Sequence, residues 1–330
     1  MRAAVVGISG PGLTPEERAL FTRHPPAGVI LFARNVQDRV QLASLVAALR
    51  AVLPSEAVLM VDQEGGRVAR LDPPHWRAHP TAAALGALFA HDRHAGEMAA
   101  WLTGALIGLD CRAAGFDVAC APVLDLRVPG AHDVIGDRAF AADPDAVGRL
   151  GGQVAAGLLA AGVQPVIKHI PGHGRARADS HLELPRVPDE DLADDLAPFA
   201  GNAHMPWAMT AHVLYESWDP ALPATLSPAV LGGVVRGRIG FQGVLVSDDL
   251  AMGALAGAPA VLAGRALQAG CDLVLHCTGR LAETASLLAA CPEVTQAAAA
   301  RLQAGQALAA RSRVPLDETR LAEARDRLLA

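Results

Sequence analysis

Asp248 and Asp249 close a very apolar run, Val244-Leu245-Val246, with Ser247 between. A carboxylate in that position lies beside a low-dielectric interior, and its charge needs nearby donors to be tolerated. Capping of the following helix accounts for one of the pair, and Asp249 fits that role. The other is then left to point inward as a nucleophile or an electrostatic stabiliser. A second group of reactive side chains, His173, Asp179 and His181, falls between Gly172 and Pro185. The stretch Arg175-Ala176-Arg177-Ala178-Asp179-Ser180-His181 is charged and lacks a helical apolar period, so about residues 172–185 read as a mobile loop. An aspartate two residues before a histidine can orient the imidazole and raise its pKa, so that the ring donates and then accepts a proton near neutrality. A plain Asp-Ser-His surface turn has the same spacing, and spacing alone leans towards it.

Polar residues also follow the other apolar runs. The segment from Asp62 to Arg70 follows the third run, and Asp125 follows the fourth, with Arg138 further along. The fifth run ends in Lys168-His169-Ile170-Pro171-Gly172-His173-Gly174, and the sixth contains Thr210-Ala211-His212. His169, His173, Asp179, His181 and Asp248 are types that hold zinc in barrel hydrolases. Lys168, Arg70 and Arg138 crowd the same rim, however, and cations there oppose a divalent ion and favour hydroxyls, carbonyls or acids. No metal is therefore expected. Gly65-Gly66 and Pro171-Gly172-His173-Gly174 lack the spacing of phosphate-binding loops and read as tight turns close to a small ligand, so no nucleotide or other cofactor is expected either.

The elements that must bring these residues together are apolar runs separated by longer helical patterns. The runs are Ala3–Ile8, Gly28–Phe32, Ala57–Val61, Phe116–Leu124, Val163–Ile167, Ala208–Leu214, Val244–Val246 and Cys271–Leu275. Continuous rather than alternating apolar character suits parallel strands buried on both faces, joined by helical crossovers. Thr14-Pro15-Glu16-Glu17, Asp143-Pro144-Asp145 and Ser227-Pro228 carry a cap followed by proline, as at helix starts. Glycines 115, 162, 240 and 270 stand near helix ends. Eight strand-helix units predict an α/β fold, a single (β/α)8 TIM barrel over residues 1–330, with an open doubly wound sheet as runner-up. Residues 292–330 read as additional C-terminal helices on the outside. Both architectures place a site at the C-terminal ends of the strands, which is where the reactive residues lie.

Composition narrows the partners. The 330 residues are 52% hydrophobic and 19% charged, enough for a large core and incompatible with a disordered chain. Aromatics make up 4%, with Tyr215 the single tyrosine, a poor inventory for stacking along single-stranded nucleic acid or a polysaccharide. A net charge of −6 gives no reason to seek a polyanion, so nucleic acid is not an expected partner. The N-terminus does not read as a secretory signal, and the uncharged stretch from Leu150 to Ile167 is interrupted by Gln153, Gln164, Pro165 and glycines, so no membrane partner is expected. Five cysteines without a Cys-x-x-Cys pair read as buried thiols in a reducing cytoplasm. Nothing in the sequence sets an oligomeric state.

Over nearly its whole length the sequence resembles glycoside hydrolase family 3, and within it the single-domain bacterial β-N-acetylglucosaminidases of cell-wall recycling. The resemblance rests on Gly28-Val29-Ile30-Leu31-Phe32, Asp62-Gln63-Glu64-Gly65-Gly66-Arg67-Val68-Ala69-Arg70, Ala121-Pro122-Val123-Leu124-Asp125 and Ile135-Gly136-Asp137-Arg138-Ala139-Phe140. Its most discriminating parts are the Lys168–Gly174 segment with Asp179-Ser180-His181, and Gly240-Phe241 with Ser247-Asp248-Asp249-Leu250-Ala251-Met252. The resemblance implies that Asp248 is the nucleophile, His181 the general acid/base and Asp179 its orienting partner. It implies that Asp62, Arg70, Arg138, Lys168 and His169 hold the hydroxyls and 2-acetamido group of a terminal N-acetylglucosamine, taken from a small carbohydrate such as a muropeptide. The implied reaction is retaining, through a covalent glycosyl-enzyme. Larger family members usually take the acid/base from a second domain, which this chain is too short to hold beyond a barrel. The alternatives are broader glycosidase specificity, phosphorolysis in place of hydrolysis, and, remotely, a non-catalytic sugar-binding barrel. One departure from the family pattern is the short alanine-rich segment Gly253–Pro259, which leaves the aglycone wall open.

Overall fold

The computed structural model describes residues 1–188 and 191–330. Ten strands form: β1 (Arg2–Gly7), β2 (Pro26–Leu31), β3 (Val58–Val61), β4 (Val118–Ala119), β5 (Gln164–Ile170), β6 (Arg186–Val187), β7 (Trp207–Thr210), β8 (Leu214–Tyr215), β9 (Val244–Asp249) and β10 (Leu273–His276). Eight of them close a parallel barrel in the order β1-β10-β9-β7-β5-β4-β3-β2. A helix follows each barrel strand, so the architecture is the predicted (β/α)8 barrel and the open sheet is excluded.

Continuous apolar runs are explained by two separate cores. Successive strand residues point to opposite faces. Val5, Ile30, Val58, Met60, Val166, Trp207, Val244, Val246 and Leu273 fill the barrel interior. Their neighbours Ala4, Val6, Val29, Leu31, Leu59, Ile167, Ala208, Leu245 and Val274 pack under the surrounding helices. The indole of Trp207 lies wholly buried and donates from Nε1 to Gln164 Oε1 at 2.9 Å, which satisfies two polar groups inside the barrel.

The helix boundaries follow local chemistry. Thr14 forms a reciprocal capping box with Glu17 at the start of Pro15–Arg23, and Asp143 caps Pro144–Ala161. That second helix ends at Gly162, whose φ of 86° is the left-handed conformation that only glycine adopts freely. Ser227 caps the segment after β7 by accepting from the Val230 amide, but the segment, Ala229–Arg238, winds as a π-helix.

Two strand runs depart from the sequence reading, and the expected C-terminal helices make contacts it did not name. The run Phe116–Leu124 forms strand only at Val118–Ala119, because Pro122 has no N–H to extend the ladder, although Val123 still bridges Lys168. The run Ala208–Leu214 breaks into β7 and β8, and β8 pairs with β6 in a small parallel sheet outside the barrel. The C-terminal helices do more than decorate the outside. Gln296–Ser312 sends Leu302 into the interior cluster and packs against β5 and β9, closing the end of the barrel opposite the reactive residues. Glu318–Leu329 packs on Arg93–Ala113, where Arg325 is buried against His79 and Arg77 bridges Asp110 and Glu318. The five cysteines are buried single thiols. Among the described residues no helix is long and apolar enough to cross a membrane.

Helices Arg93–Ala113 and Pro144–Ala161 make the most extensive helix–helix contact among the described residues, and glycines permit it. A Cβ on Gly157 would fall onto the Trp101 carbonyl and the Ala105 amide, whereas one on Gly264 in Pro259–Ala269 meets nothing within 4 Å. Gly157→Ala should destabilise the fold by about 1–3 kcal/mol through overpacking, while Gly264→Ala should stabilise it by up to about 1 kcal/mol through helix propensity. Urea unfolding of the two variants checks this; equal effects would refute the packing argument.

Candidate active site

The carboxyl ends of the barrel strands surround an open cavity of about 770 Å³. Asp62, Arg70, Arg138, Lys168, His169, Asp179, His181 and Asp248 all line it. Residues far apart in sequence are thus brought to one mouth by strand ends and the loops that follow them.

An ionic chain centred on the buried Lys168 forms one side. Lys168, on β5, reaches Asp62 Oδ1 at 2.7 Å and Glu64 Oε1 at 2.5 Å, and its side chain is 3% exposed. Asp62 Oδ2 accepts from Arg70 Nη2 at 2.9 Å, and Glu64 accepts from Arg138 Nε and Nη2, each at 2.8 Å. Burial opposes the charge on Glu64, but Lys168 and Arg138 outweigh it and hold the carboxyl well below its usual range. Burial likewise opposes the charge on Lys168, and Asp62 and Glu64 overcome it and push its pKa up. Glu64 and Lys168 are therefore ionised at neutral pH. Three cations against two carboxylates leave donors fixed in direction for a polar ligand.

The loop after β3 is shaped for this purpose. Buried Gln63 accepts from the Arg70 and Leu71 amides and donates to the Leu71 carbonyl, which folds the chain back so that Arg70 faces Asp62. Gly65 and Gly66, with φ of 106° and 54°, make the turn between them. Arg67 donates to Asp137 Oδ1 and to the Asp133, Val134 and Ile135 carbonyls, pinning the segment that carries Arg138.

His169 is oriented from behind. Asp125, fully buried, accepts from His169 Nδ1 at 2.6 Å and from the His173 amide at 2.6 Å. Since a carboxylate only accepts, Nδ1 carries the proton and Nε2 is turned to the cavity, 3.9 Å from Asp248 Oδ2. Burial raises the Asp125 carboxyl, and interactions with His169 and His173 more than reverse this, leaving it below the usual range.

Asp248 and Asp249 have different surroundings. Asp249 Oδ1 accepts from the Ala251 and Cys277 amides at 3.0 Å each, so it holds a turn and the end of β10 and does not cap the following helix, Pro259–Ala269, which starts ten residues on at the N-cap Ala258. Among the described residues Asp248 Oδ1 accepts only the adjacent Asp249 amide, at 2.8 Å, and Oδ2 faces the cavity near His169. Burial disfavours its ionised form, yet His169, His212, the Asp249 amide and Lys168 together hold its carboxyl below the usual range. An anionic oxygen with few hydrogen bonds, aimed into a cavity, is equipped for nucleophilic attack.

Across the cavity, Asp179 Oδ1 accepts from both the His181 amide and His181 Nδ1 at 2.8 Å. The imidazole is 61% exposed, so Nε2 is open to proton exchange with a ligand. Burial raises the Asp179 carboxyl, and the hydrogen bonds from His181 outweigh it, so the pair is a carboxylate with an oriented imidazole.

Two groups of this site were given no role by the sequence. Glu64 was legible as the second residue after Asp62, and alternate residues of an extended segment share a face. Asp125 ends its apolar run as Asp248 ends another, but its role behind His169 depends on a contact between β4 and β5 ends that spacing does not reveal. Phe32 and Arg34 add to the wall, with the Arg34 and Arg70 guanidinium groups 5.0 and 5.6 Å from the Phe32 ring centre.

The sequence matches the Glycosyl hydrolase family 3 N terminal domain over residues 8–312. It is 43% identical over 281 residues to a beta-hexosaminidase of Alkalilimnicola ehrlichii, covering 83% of this chain and 80% of that protein. Among solved structures, NagZ from Neisseria gonorrhoeae in complex with N-trifluoroacetyl-D-glucosamine superposes with a TM-score of 0.87 at 34% identity, covering 99% of this chain and 97% of that one. A family 3 β-N-acetylglucosaminidase from a Paenibacillus species gives a TM-score of 0.84 at 32% identity over 99% of this chain, which spans 66% of that longer chain. The match runs through the barrel and through the strand ends that build the cavity, and on it the chain belongs to glycosyl hydrolase family 3 and is a glycoside hydrolase.

Proposed function

We propose that the chain is a retaining exo-β-N-acetylglucosaminidase that works in the cytoplasm on terminal, non-reducing N-acetylglucosamine of muropeptides. The names of its relatives support the sugar. The observation that carries the mechanism is the pairing, in one cavity, of a sparsely hydrogen-bonded carboxylate, Asp248, with an exposed imidazole backed by Asp179.

In this reading Asp62, Arg70, Arg138, Lys168 and His169 bind the hydroxyls and 2-acetamido group of one sugar. The ionic chain favours such a ligand because its donors and acceptors are fixed before the sugar arrives. Asp248 attacks the anomeric carbon as the glycosidic bond breaks, and His181 Nε2 gives its proton to the departing oxygen. Asp179 stabilises the imidazolium before transfer and keeps the ring's tautomer fixed. After the aglycone leaves, the neutral imidazole takes a proton from water, whose oxygen displaces Asp248 and restores the carboxylate. Retention follows from two displacements at the same carbon.

Asp248→Asn should lower turnover of an aryl β-N-acetylglucosaminide by at least about a thousandfold, as loss of a nucleophile does elsewhere. His181→Ala should lose about 10²–10⁴-fold, regain turnover with azide, and yield the β-glycosyl azide. Wild-type rate in the aspartate variant would dismiss the nucleophile assignment. The sugar released in phosphate buffer, free or as its phosphate ester, decides between hydrolysis and phosphorolysis.

A pH profile gives an independent check. Asp248 must be ionised, and its depressed pKa keeps it so until pH falls through that value, so the acid limb of kcat/KM should lie below the ordinary carboxylate value of about 3.9. His169→Gln removes the strongest interaction favouring the ionised form, so the limb should move to higher pH. A limb that stays in place after this change would reject Asp248 as the titrating group.

A further inference from the structure

Within Asp179-Ser180-His181 the middle residue is the buried one. Ser180 is 3% exposed, while the side chains on either side are 22% and 61% exposed. A plain surface turn has no reason to bury a hydroxyl, and a buried hydroxyl needs a partner. Here the partner is His173 Nε2, at 2.9 Å. His173 is itself 2% exposed, and its amide donates to Asp125, the carboxylate that also holds His169 Nδ1. The two imidazoles meet edge to face, with ring centres 5.7 Å apart. Burial, and then the neighbouring His169, pushes the His173 pKa down to about 4, so its ring is neutral at neutral pH.

The same triplet is fastened on its other side to the segment after Asp248. The Gly253 amide donates to the His181 carbonyl and the Ala254 amide to the Ser180 carbonyl, each at 3.0 Å. Gly253 is needed for that approach, since a Cβ there would stand 2.5 Å from the Leu182 carbonyl oxygen and 2.7 Å from that of His181. One fastening therefore leads through His173 and Asp125 to His169, and the other leads along the backbone to Asp248.

We propose that Ser180 is a positioning residue: its hydrogen bond to His173, with Gly253 as the second seat, fixes the His181 imidazole relative to the sugar-binding His169 and to Asp248. Ser180 and Gly253 touch no substrate atom in this role; they act through His181. The proposal rests on the reading of His181 as the general acid/base. It also gives a use to the segment Gly253–Pro259, which begins as the surface on which the loop sits.

The test compares kcat/KM for a dinitrophenyl β-N-acetylglucosaminide, whose leaving group departs without protonation, with that for an alkyl β-N-acetylglucosaminide, which needs the proton. Full-length wild type, Ser180→Ala, Gly253→Ala and His181→Ala are assayed together. Ser180→Ala and Gly253→Ala should each lose about tenfold or more on the alkyl glycoside and less than about threefold on the dinitrophenyl glycoside, because only the first depends on general acid catalysis. A merely structural role would lower both alike. Equal losses, or none, in the Ser180 and Gly253 variants beside a graded loss in His181→Ala overturn the positioning role and leave the acid/base reading intact. Equal losses in His181→Ala overturn that reading itself. Gly253→Ala keeps the test open if Ser180→Ala fails to fold.

Discussion

The charge on Lys168 is the constraint around which the cavity is organised. An ammonium group with a side chain 3% exposed is tolerated inside a protein only with close counter-charges, and Asp62 and Glu64 supply two. Each carboxylate then needs its own partner, which brings in Arg70 and Arg138. Those arginines must arrive from correct directions, so Gln63 folds the β3 loop back and Arg67 pins the segment that bears Arg138. A single buried amine on β5 thereby determines the shape of two loops and the direction of every fixed donor on that side. Loss of one member would leave an uncompensated buried charge, which is far more harmful than losing a surface ion pair.

The proposed acid/base differs from the second carboxylic acid of the usual glycosidase pair, yet its charge is the same. Asp179 with a protonated His181 is neutral, and after proton transfer the pair carries one negative charge. A glutamic acid would undergo the same change. What differs is location: the negative charge rests on Asp179, behind the ring, while the atom presented to the glycosidic oxygen is a nitrogen that is never anionic. Such an arrangement lessens repulsion of the Asp248 carboxylate at close range.

Much of the architecture was legible because parallel strands covered on both faces leave a simple mark. Runs such as Val58–Val61 and Val244–Val246 carry apolar residues without alternation, and glycines at 115, 162, 240 and 270 adopt the positive φ values expected where helices end. The side chains named for the site lie at the ends of those runs or in the loops beyond them, their roles were implied by the family resemblance rather than by spacing, and all of them line one cavity. What spacing concealed were contacts between sequence-distant partners: Asp125 behind His169, Glu64 between Lys168 and Arg138, and Leu302 entering the barrel from a helix, Gln296–Ser312, that begins well after the last strand ends at His276. Split strands were hidden for a different reason. Apolar content around Pro122 and between Thr210 and Leu214 is the same whether or not the backbone forms a ladder, so composition cannot separate strand from buried loop.

The plug at the far end of the barrel has a kinetic meaning. Trp207 and Met60 fill the interior and Leu302 closes the bottom, so the cavity lies on the side where the reactive groups gather. In the proposed reaction sugar, aglycone, water and protons all pass through that cavity. In a two-step reaction the departing aglycone occupies the space from which water has to approach the anomeric carbon. Under the proposed mechanism this imposes a queue: the leaving group has to clear the entrance before a water molecule can take its place beside the His181 imidazole.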